Sequence, residues 1–244
     1  MILFYFTGTG NSLFAAQKIA DSTGAAMVSI PKAIAEQKTY TDDCIGFVYP
    51  QYAAGLPKMV RRFILNNAFH AEYLFAVDLY AFIRANALGE IAGILPLDYG
   101  AYLKTPNNFI FALNPPKDTE AAMAKAESRL AGIINDISMR KSKPVKPRKN
   151  VGNATKHFGN ARFKITESCT SCGTCTRVCP AGNIEISGRG PVFHDRCENC
   201  YACVNLCPMH AIYVNKAMLN RRQYRNPIIS IDAIAESNSM NKGD

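Results

Sequence analysis

The 244-residue chain is 48% hydrophobic, carries a formal charge of +9 and contains nine cysteines. That hydrophobic share belongs to a globular chain with a core and excludes a disordered one. The longest apolar candidate, Tyr73 to Leu88, is broken by Asp78, Arg84 and Asn86, so no membrane span is expected.

Apolar, strand-like runs come first: Ile2 to Phe6, Ala26 to Ile30, Cys44 to Tyr49 and Leu74 to Asp78. They alternate with helix-like stretches at Ser12 to Asp21, Lys58 to Asn66 and Ile83 to Ile94. Such alternation predicts a parallel sheet with helices on both faces. Met1 leads straight into the first strand without a basic leader or a small-residue cleavage site, so a cytoplasmic location is expected. Residues 119 to 138 place Ala122, Ala126, Leu130, Ile133, Ile134 and Ile137 at helical spacing and read as the last helix of this unit. Arg140 to Lys149 holds six basic residues, two prolines and no acid, which suits an extended connection or, alternatively, a docking patch for an acidic partner. The expected boundaries are a first domain at 1–139, a basic linker at 140–160, a small second domain at 161–215 and an extension at 216–244. Residues 235 to 244 read as a frayed tail.

Between the first strand and first helix lies Thr7-Gly8-Thr9-Gly10-Asn11-Ser12. Glycines and hydroxyls at a helix amino terminus suit an anionic phosphate, because the first-turn amides have no partners within the helix. Leu13 stands where the dinucleotide fingerprint needs its third glycine, and the lysine of a triphosphate loop is missing. A monophosphate bound without a basic residue fits, and a purely structural strand-to-helix turn is the alternative.

The cysteines carry the strongest signal. Cys169, Cys172, Cys175, Cys179 and Pro180 recur 28 positions later as Cys197, Cys200, Cys203, Cys207 and Pro208. Apolar flanks repeat with them, so each repeat reads as a short strand, a cysteine loop and a returning strand. Three thiolates at CxxCxxC spacing reach three corners of one 4Fe-4S cube. In the bacterial CxxCxxCxxxCP pattern the fourth cysteine ligates the other cluster. The expected ligand sets are therefore Cys169, Cys172, Cys175 with Cys207, and Cys197, Cys200, Cys203 with Cys179. Structural zinc is the competing reading, disfavoured by three cysteines at this spacing followed twice by Cys-Pro. His194 and His210 are not needed as ligands, and Cys44 sits alone in an apolar run as a small buried hydrophobe.

With TGTGNS and the cysteine repeats together, the chain resembles flavodoxins, and in particular a family of ferredoxins whose amino-terminal region is flavodoxin-like. The resemblance spans nearly the whole chain. It implies an α/β flavodoxin-like doubly wound parallel sheet, order 2-1-3-4-5, followed by a small α+β two-cluster ferredoxin domain. It further implies that Thr7, Gly8, Thr9, Gly10, Asn11 and Ser12 bind the FMN phosphate. Pro50, Gln51 and Tyr52, with Gly55 and Pro57, border the flavin ring, Tyr52 stacking on it or merely packing. A third ring loop follows Asp78, where the glycines of the relatives are replaced by Leu79, Tyr80, Ala81 and Phe82 with Arg84 beyond, side chains expected to narrow or fill the ring site. Thr105 to Phe109 resembles a further motif of the family, with no chemistry assigned.

The expected cofactors are two 4Fe-4S clusters and FMN. Clusters of about two negative charges each, together with a flavin phosphate, offset much of the +9, so nucleic acid is not an expected partner. The expected function is single-electron transfer with an unidentified redox protein as donor or acceptor, in a host kept anaerobic. The alternatives are a flavin-dependent reductase of a small, quinone-like substrate fed by the clusters, and a cluster protein whose first domain is an empty docking module. Arg221, Arg222, Tyr224 and Arg225 would pack over the second cluster or form a solvated basic face.

Overall fold

A computed structural model describes residues 1–148, 163–188 and 190–239. Its centre is a five-stranded parallel sheet built from β1 (Ile2–Tyr5), β2 (Ala26–Ser29), β4 (Cys44–Pro50), β6 (Tyr73–Tyr80) and β7 (Tyr99–Lys104). The spatial order is β2-β1-β4-β6-β7, which is 2-1-3-4-5 when the sheet strands alone are counted. This is the flavodoxin-like winding. β4 and β6 are buried along nearly their whole length because helices cover both faces, which is why they read as unbroken apolar runs.

The covering helices are α1 (Asn11–Thr23), the single turn α2 (Ile30–Ala33), α3 (Lys58–Asn66), α4 (Ala87–Ala92) and α5 (Thr119–Ser138). Gly24, in the left-handed region at φ 70°, stops α1 by donating its amide to the Ala20 carbonyl. Asp118 opens α5 by accepting from the Ala121 amide, and Met123, Ala126, Leu130 and Ile137 form its buried stripe. Two short strands, β3 (Thr39–Thr41) and β5 (Ala68–His70), pair in parallel beside the main sheet. Helix α4 is shorter than the expected Ile83 to Ile94. Asn86 stands at its amino-terminal boundary, and residues 81–85 form a loop.

The basic segment expected as an extended connection runs along the first domain as far as it is described. Lys143 bridges Tyr99, and Val145 fills the space over Gly100, where any Cβ would meet its methyl at 2.1 Å. Arg148 donates its amide to the Gly89 carbonyl. The remainder of the expected linker, residues 149–160, lies outside the described residues.

The second unit contains β8 (Lys164–Ile165), α6 (Thr174–Arg177), β9 (Ile184–Ser187), β10 (Gly190–Phe193), α7 (Ala202–Asn205) and β11 (Ile212–Tyr213). Its strands pair between the repeats: β8 with β11, and β9 with β10, both antiparallel. Beyond a 3₁₀ turn at Lys216–Asn220, the chain returns to the first domain and ends in α8 (Ile231–Asn238). The expected frayed tail is thus a helix up to Asn238. Ser230 caps it by accepting from the Ala233 amide, Ile234 and Ala235 are buried, and Ser29 donates to the Ser237 carbonyl. Residues 240–244 lie outside the described residues.

Candidate functional site

The 28-residue repeat persists in the backbone. Ser171 and Asn199 have φ of 53° and 55°, Gly173 and Tyr201 75° and 56°, and Gly182 and His210 52° and 50°. Left-handed residues stand on either side of Cys172 and of Cys200, a backbone arrangement of the kind that forms anion-binding nests. Three thiols already accept from amides: Cys179 from Asn183 at 3.3 Å, Cys197 from Asn199 at 3.3 Å and Cys207 from Ala211 at 3.4 Å.

Two small cavities lie inside these loops. One is lined by Cys169, Cys172, Cys175 and Cys207, the other by Cys179, Cys197, Cys200 and Cys203. Each cavity therefore takes three cysteines from one repeat and the fourth from the other. Their donor chemistry fits an iron-sulfur cube. Burial pushes the Cys200 and Cys203 thiols well above their usual pKa and Cys175 up to about 11, so deprotonated sulfur there needs a cation in place of the proton. Cys172 is exposed and, held by the Thr174 hydroxyl, is lowered. The first cavity thus faces solvent and the second faces the flavodoxin-like domain. Neither His194 nor His210 lines either cavity. Cys44 is buried away from both, its thiol raised to about 11.

The loop Thr7 to Ser12 is almost wholly buried, covered by the second cysteine loop and the carboxy-terminal extension. Thr7 accepts from the Gly10 amide at 3.1 Å, and Thr9 accepts from Asn108 at 3.1 Å. Gly8 has room for no side chain: a Cβ would stand 2.6 Å from the Tyr52 hydroxyl and 3.0 Å from Cys200 Cβ. On the loop's other side, Asn11 accepts from Tyr224 at 2.5 Å and Asn226 at 2.9 Å. Tyr224 is fully buried against this loop, so it forms no part of a solvated basic face. Arg221 and Arg222 are bound to carbonyls of residues 110–117.

A cavity of about 40 Å³ is lined by Thr7, Gly8, Thr9, Asn11 and Ser12 together with Pro50, Gln51, Tyr52, Leu79 and Ala81. The buried hydroxyls of Ser12 and Tyr52 have no hydrogen-bond partner among the described residues. A second cavity of about 330 Å³ shares Gln51, Tyr52, Ala81 and Asn108 with it. Its other walls are Ala53 and Ala54, Phe82 and Ile83, Asn107 and Phe109, and, from the cysteine domain, Asn199 and Tyr201. None of these wall residues is charged. Gln51 fixes the two ring loops to each other by donating to the Ile83 carbonyl at 2.6 Å and accepting from the Ala85 amide at 3.1 Å. Tyr52 and Gly55 exchange backbone hydrogen bonds at 3.0 Å across a tight turn.

Two residues expected at the flavin, Asp78 and Tyr80, do not line either cavity. In β6 successive side chains alternate between faces, so Leu79 meets the smaller cavity while Asp78 and Tyr80 point away. Asp78 is buried beside Tyr49, Tyr102 and Glu90, with both oxygens unpartnered among the described residues, and burial holds its carboxyl well above the usual range. Tyr80 contacts Arg84 and Tyr102. Phe82 and Ile83, after β6, line the larger cavity and are 52% and 65% exposed.

Asn108, whose sequence motif carries no assigned chemistry, joins the domains. Besides Thr9 it donates to the Cys200 carbonyl at 3.4 Å, and its own carbonyl accepts from Asn205 at 2.9 Å. The Thr-Pro-Asn-Asn-Phe string after a strand is the available signal. Glu198, within the second cysteine loop, accepts from the Met59 amide at 3.1 Å in the first turn of α3.

A family model described as a 4Fe-4S dicluster domain matches residues 168–212, the segment that holds all eight clustered cysteines. The chain is a flavodoxin-like domain joined to a 4Fe-4S domain. No curated protein matches it. Among solved structures, a candidate flavoprotein from Bacteroides uniformis is similar at 14% identity and a TM-score of 0.35, over 42% of this chain and 88% of that one. So distant a likeness carries no argument about function. Among the described residues no helix is long and apolar enough to cross a membrane.

Proposed function

We propose that this protein carries single electrons through two 4Fe-4S clusters and exchanges them with FMN held in the two adjoining cavities of the flavodoxin-like domain. The observation that supports this most directly is the seating of the second cysteine loop on the flavin side: Cys200 packs against Gly8, and Asn199 and Tyr201 wall the larger cavity. A cluster held by Cys197, Cys200, Cys203 and Cys179 would lie directly behind that wall.

FMN, when bound, supplies one- and two-electron chemistry. The chain's own residues orient and enclose it. Ser12 and the first-turn amides of α1 would receive the phosphate, meeting a hydroxyl that otherwise stays buried and unpaired. Residues 51–54 and 81–83, clamped together by Gln51, would hold the ring, with Asn107, Asn108 and Asn199 offering amide groups to its polar edge. The first cluster, held by Cys169, Cys172, Cys175 and Cys207, would take electrons from a redox partner, since Cys172 is its exposed ligand. Cys200 and Cys203, both buried, keep most water from the second. The exposed rim at Phe82 and Ile83 favours a second reading, a reductase whose small substrate reaches the ring from that side.

Anaerobic purification with iron, acid-labile sulfide and flavin quantified per chain tests the proposal. Expected are about eight irons and fluorescence quenching of added FMN. Zinc in place of iron overturns the cluster reading, and unquenched FMN overturns the flavin reading. Turnover of a quinone by the flavin-loaded protein decides for the reductase.

A further inference from the structure

The two cysteine loops match in backbone angles but differ sharply in one side chain. The residue after the second cysteine is Gly173 in the first loop and Tyr201 in the second, both left-handed. Glycine takes that conformation freely, whereas a residue with a Cβ is strained there by roughly 1–2 kcal/mol. The first loop avoids that strain, and around its Gly173 only the Thr176 hydroxyl comes within 4 Å, at 3.8 Å. The second loop accepts it and so places an aromatic ring, 7% exposed, at a defined point.

That point is a partition. Tyr201 lines the second cysteine cavity and also the 330 Å³ cavity of the flavodoxin-like domain. Its ring meets Phe163, of the cysteine cavity, edge-on at 6.2 Å, and Phe109, of the larger cavity, edge-on at 5.4 Å. Asn205 fixes the backbone beneath by donating its side-chain and main-chain N–H to the Tyr201 carbonyl.

We infer that Tyr201 is a positioning residue for the flavin, its ring forming the wall that separates the second cluster from FMN and sets the gap the electron crosses. This rests on the flavin reading above. Electron exchange falls steeply with separation and with solvent in the gap, so a packed ring between the two groups holds the distance constant. A flat aromatic wall also offers the flavin ring a face that an aliphatic side chain lacks.

The test uses the full chain, cluster-loaded and anaerobic, as wild type, Tyr201→Phe and Tyr201→Leu. Leucine keeps a Cβ at the strained position and most of the buried volume, so only the aromatic face is lost. Iron per chain and the visible circular dichroism of the clusters should be the same in all three. FMN binding is read by fluorescence quenching, and flavin-to-cluster exchange by flash reduction. The Leu variant should bind FMN about tenfold more weakly, ~1.4 kcal/mol, and exchange electrons more slowly, while Phe restores both. Wild-type binding and exchange in the Leu variant overturn the inference, as does a Phe variant no better than Leu. A wild-type chain that leaves FMN unquenched removes the flavin reading itself, and Tyr201's role with it.

Discussion

Replacing Asn11 by alanine tests whether the carboxy-terminal extension is fastened to the phosphate loop by the bonds described. Asn11 accepts from the Tyr224 hydroxyl at 2.5 Å and the Asn226 amide at 2.9 Å, and it donates to the Pro106 carbonyl at 3.2 Å. Asn11→Ala strands the Tyr224 hydroxyl, which is fully buried, and removes one partner from each of two other buried groups. A buried polar group left without a partner costs about 1–3 kcal/mol, and water entering the vacated space offsets part of it, so the expected loss is about 3–5 kcal/mol. Tyr224→Phe removes a donor but leaves Asn11 bonded to Asn226, for about 1 kcal/mol. In the double variant the stranded hydroxyl is gone, so the combined loss should fall short of the sum of the singles by about 1–2 kcal/mol. Urea unfolding of the cluster-loaded protein, followed by far-ultraviolet circular dichroism, measures all three. Additivity of the two single losses within about 0.3 kcal/mol would refute the bond as an energetic link.

Asp78 and the cysteine exchange make two further predictions. The Asp78 carboxyl, raised by burial and by nearby Glu90, holds its proton to higher pH in the folded chain than in the unfolded one, which releases it above about pH 4. Its contribution is therefore fully present below that pH and is lost as pH rises toward the folded value. Asp78→Asn should gain stability relative to wild type as pH rises above about 4, by up to about 1.4 kcal/mol per pH unit until the folded carboxyl ionises, a difference that urea melts at a series of pH values read directly. A pH-independent difference would show that the carboxyl is ionised when folded. Cys179→Ser should perturb the cluster held mainly by the second repeat, and Cys207→Ser the one held by the first, giving complementary changes in the reduced paramagnetic spectra. Were each substitution to alter the cluster of its own repeat instead, the crossed ligand sets would be wrong.

The central strands are legible because burial on both faces leaves an unbroken apolar run, and Cys44–Pro50 and Tyr73–Tyr80 are such runs. The strand Tyr99–Lys104, with Gly100 and a terminal lysine, lacks that signature and owes its place to pairing with β6. Helix α8 does carry a local signal: Ser230 at the cap, Asp232 in the first turn, and Ile234 and Ala235 on one face. The mostly polar run that ends the chain masks it. The alternation of β6 explains why Asp78 and Tyr80 turn away from the cavity that Leu79 lines, because a string of residues read from the sequence does not say where the strand ends and its two-residue period stops.

The cysteine pattern is legible for a different reason. A cube fixes its four ligands in a narrow pattern, and a tandem repeat of that pattern leaves few other chemistries. The walls of the two cavities of the first domain obey no such pattern, since they assemble from Gln51, Ile83, Asn108 and Tyr201, residues brought together by the packing of one domain on the other. Only one of these announces itself once the repeat is aligned. Tyr201 stands where its counterpart is glycine, in a backbone conformation that favours glycine. Tyr201 therefore departs from the internal symmetry where glycine would avoid strain, and it does so at the wall shared by the 4Fe-4S domain and its neighbour. At the matching point of the first loop, a Cβ on Gly173 would meet only the Thr176 hydroxyl within 4 Å, and the glycine is kept.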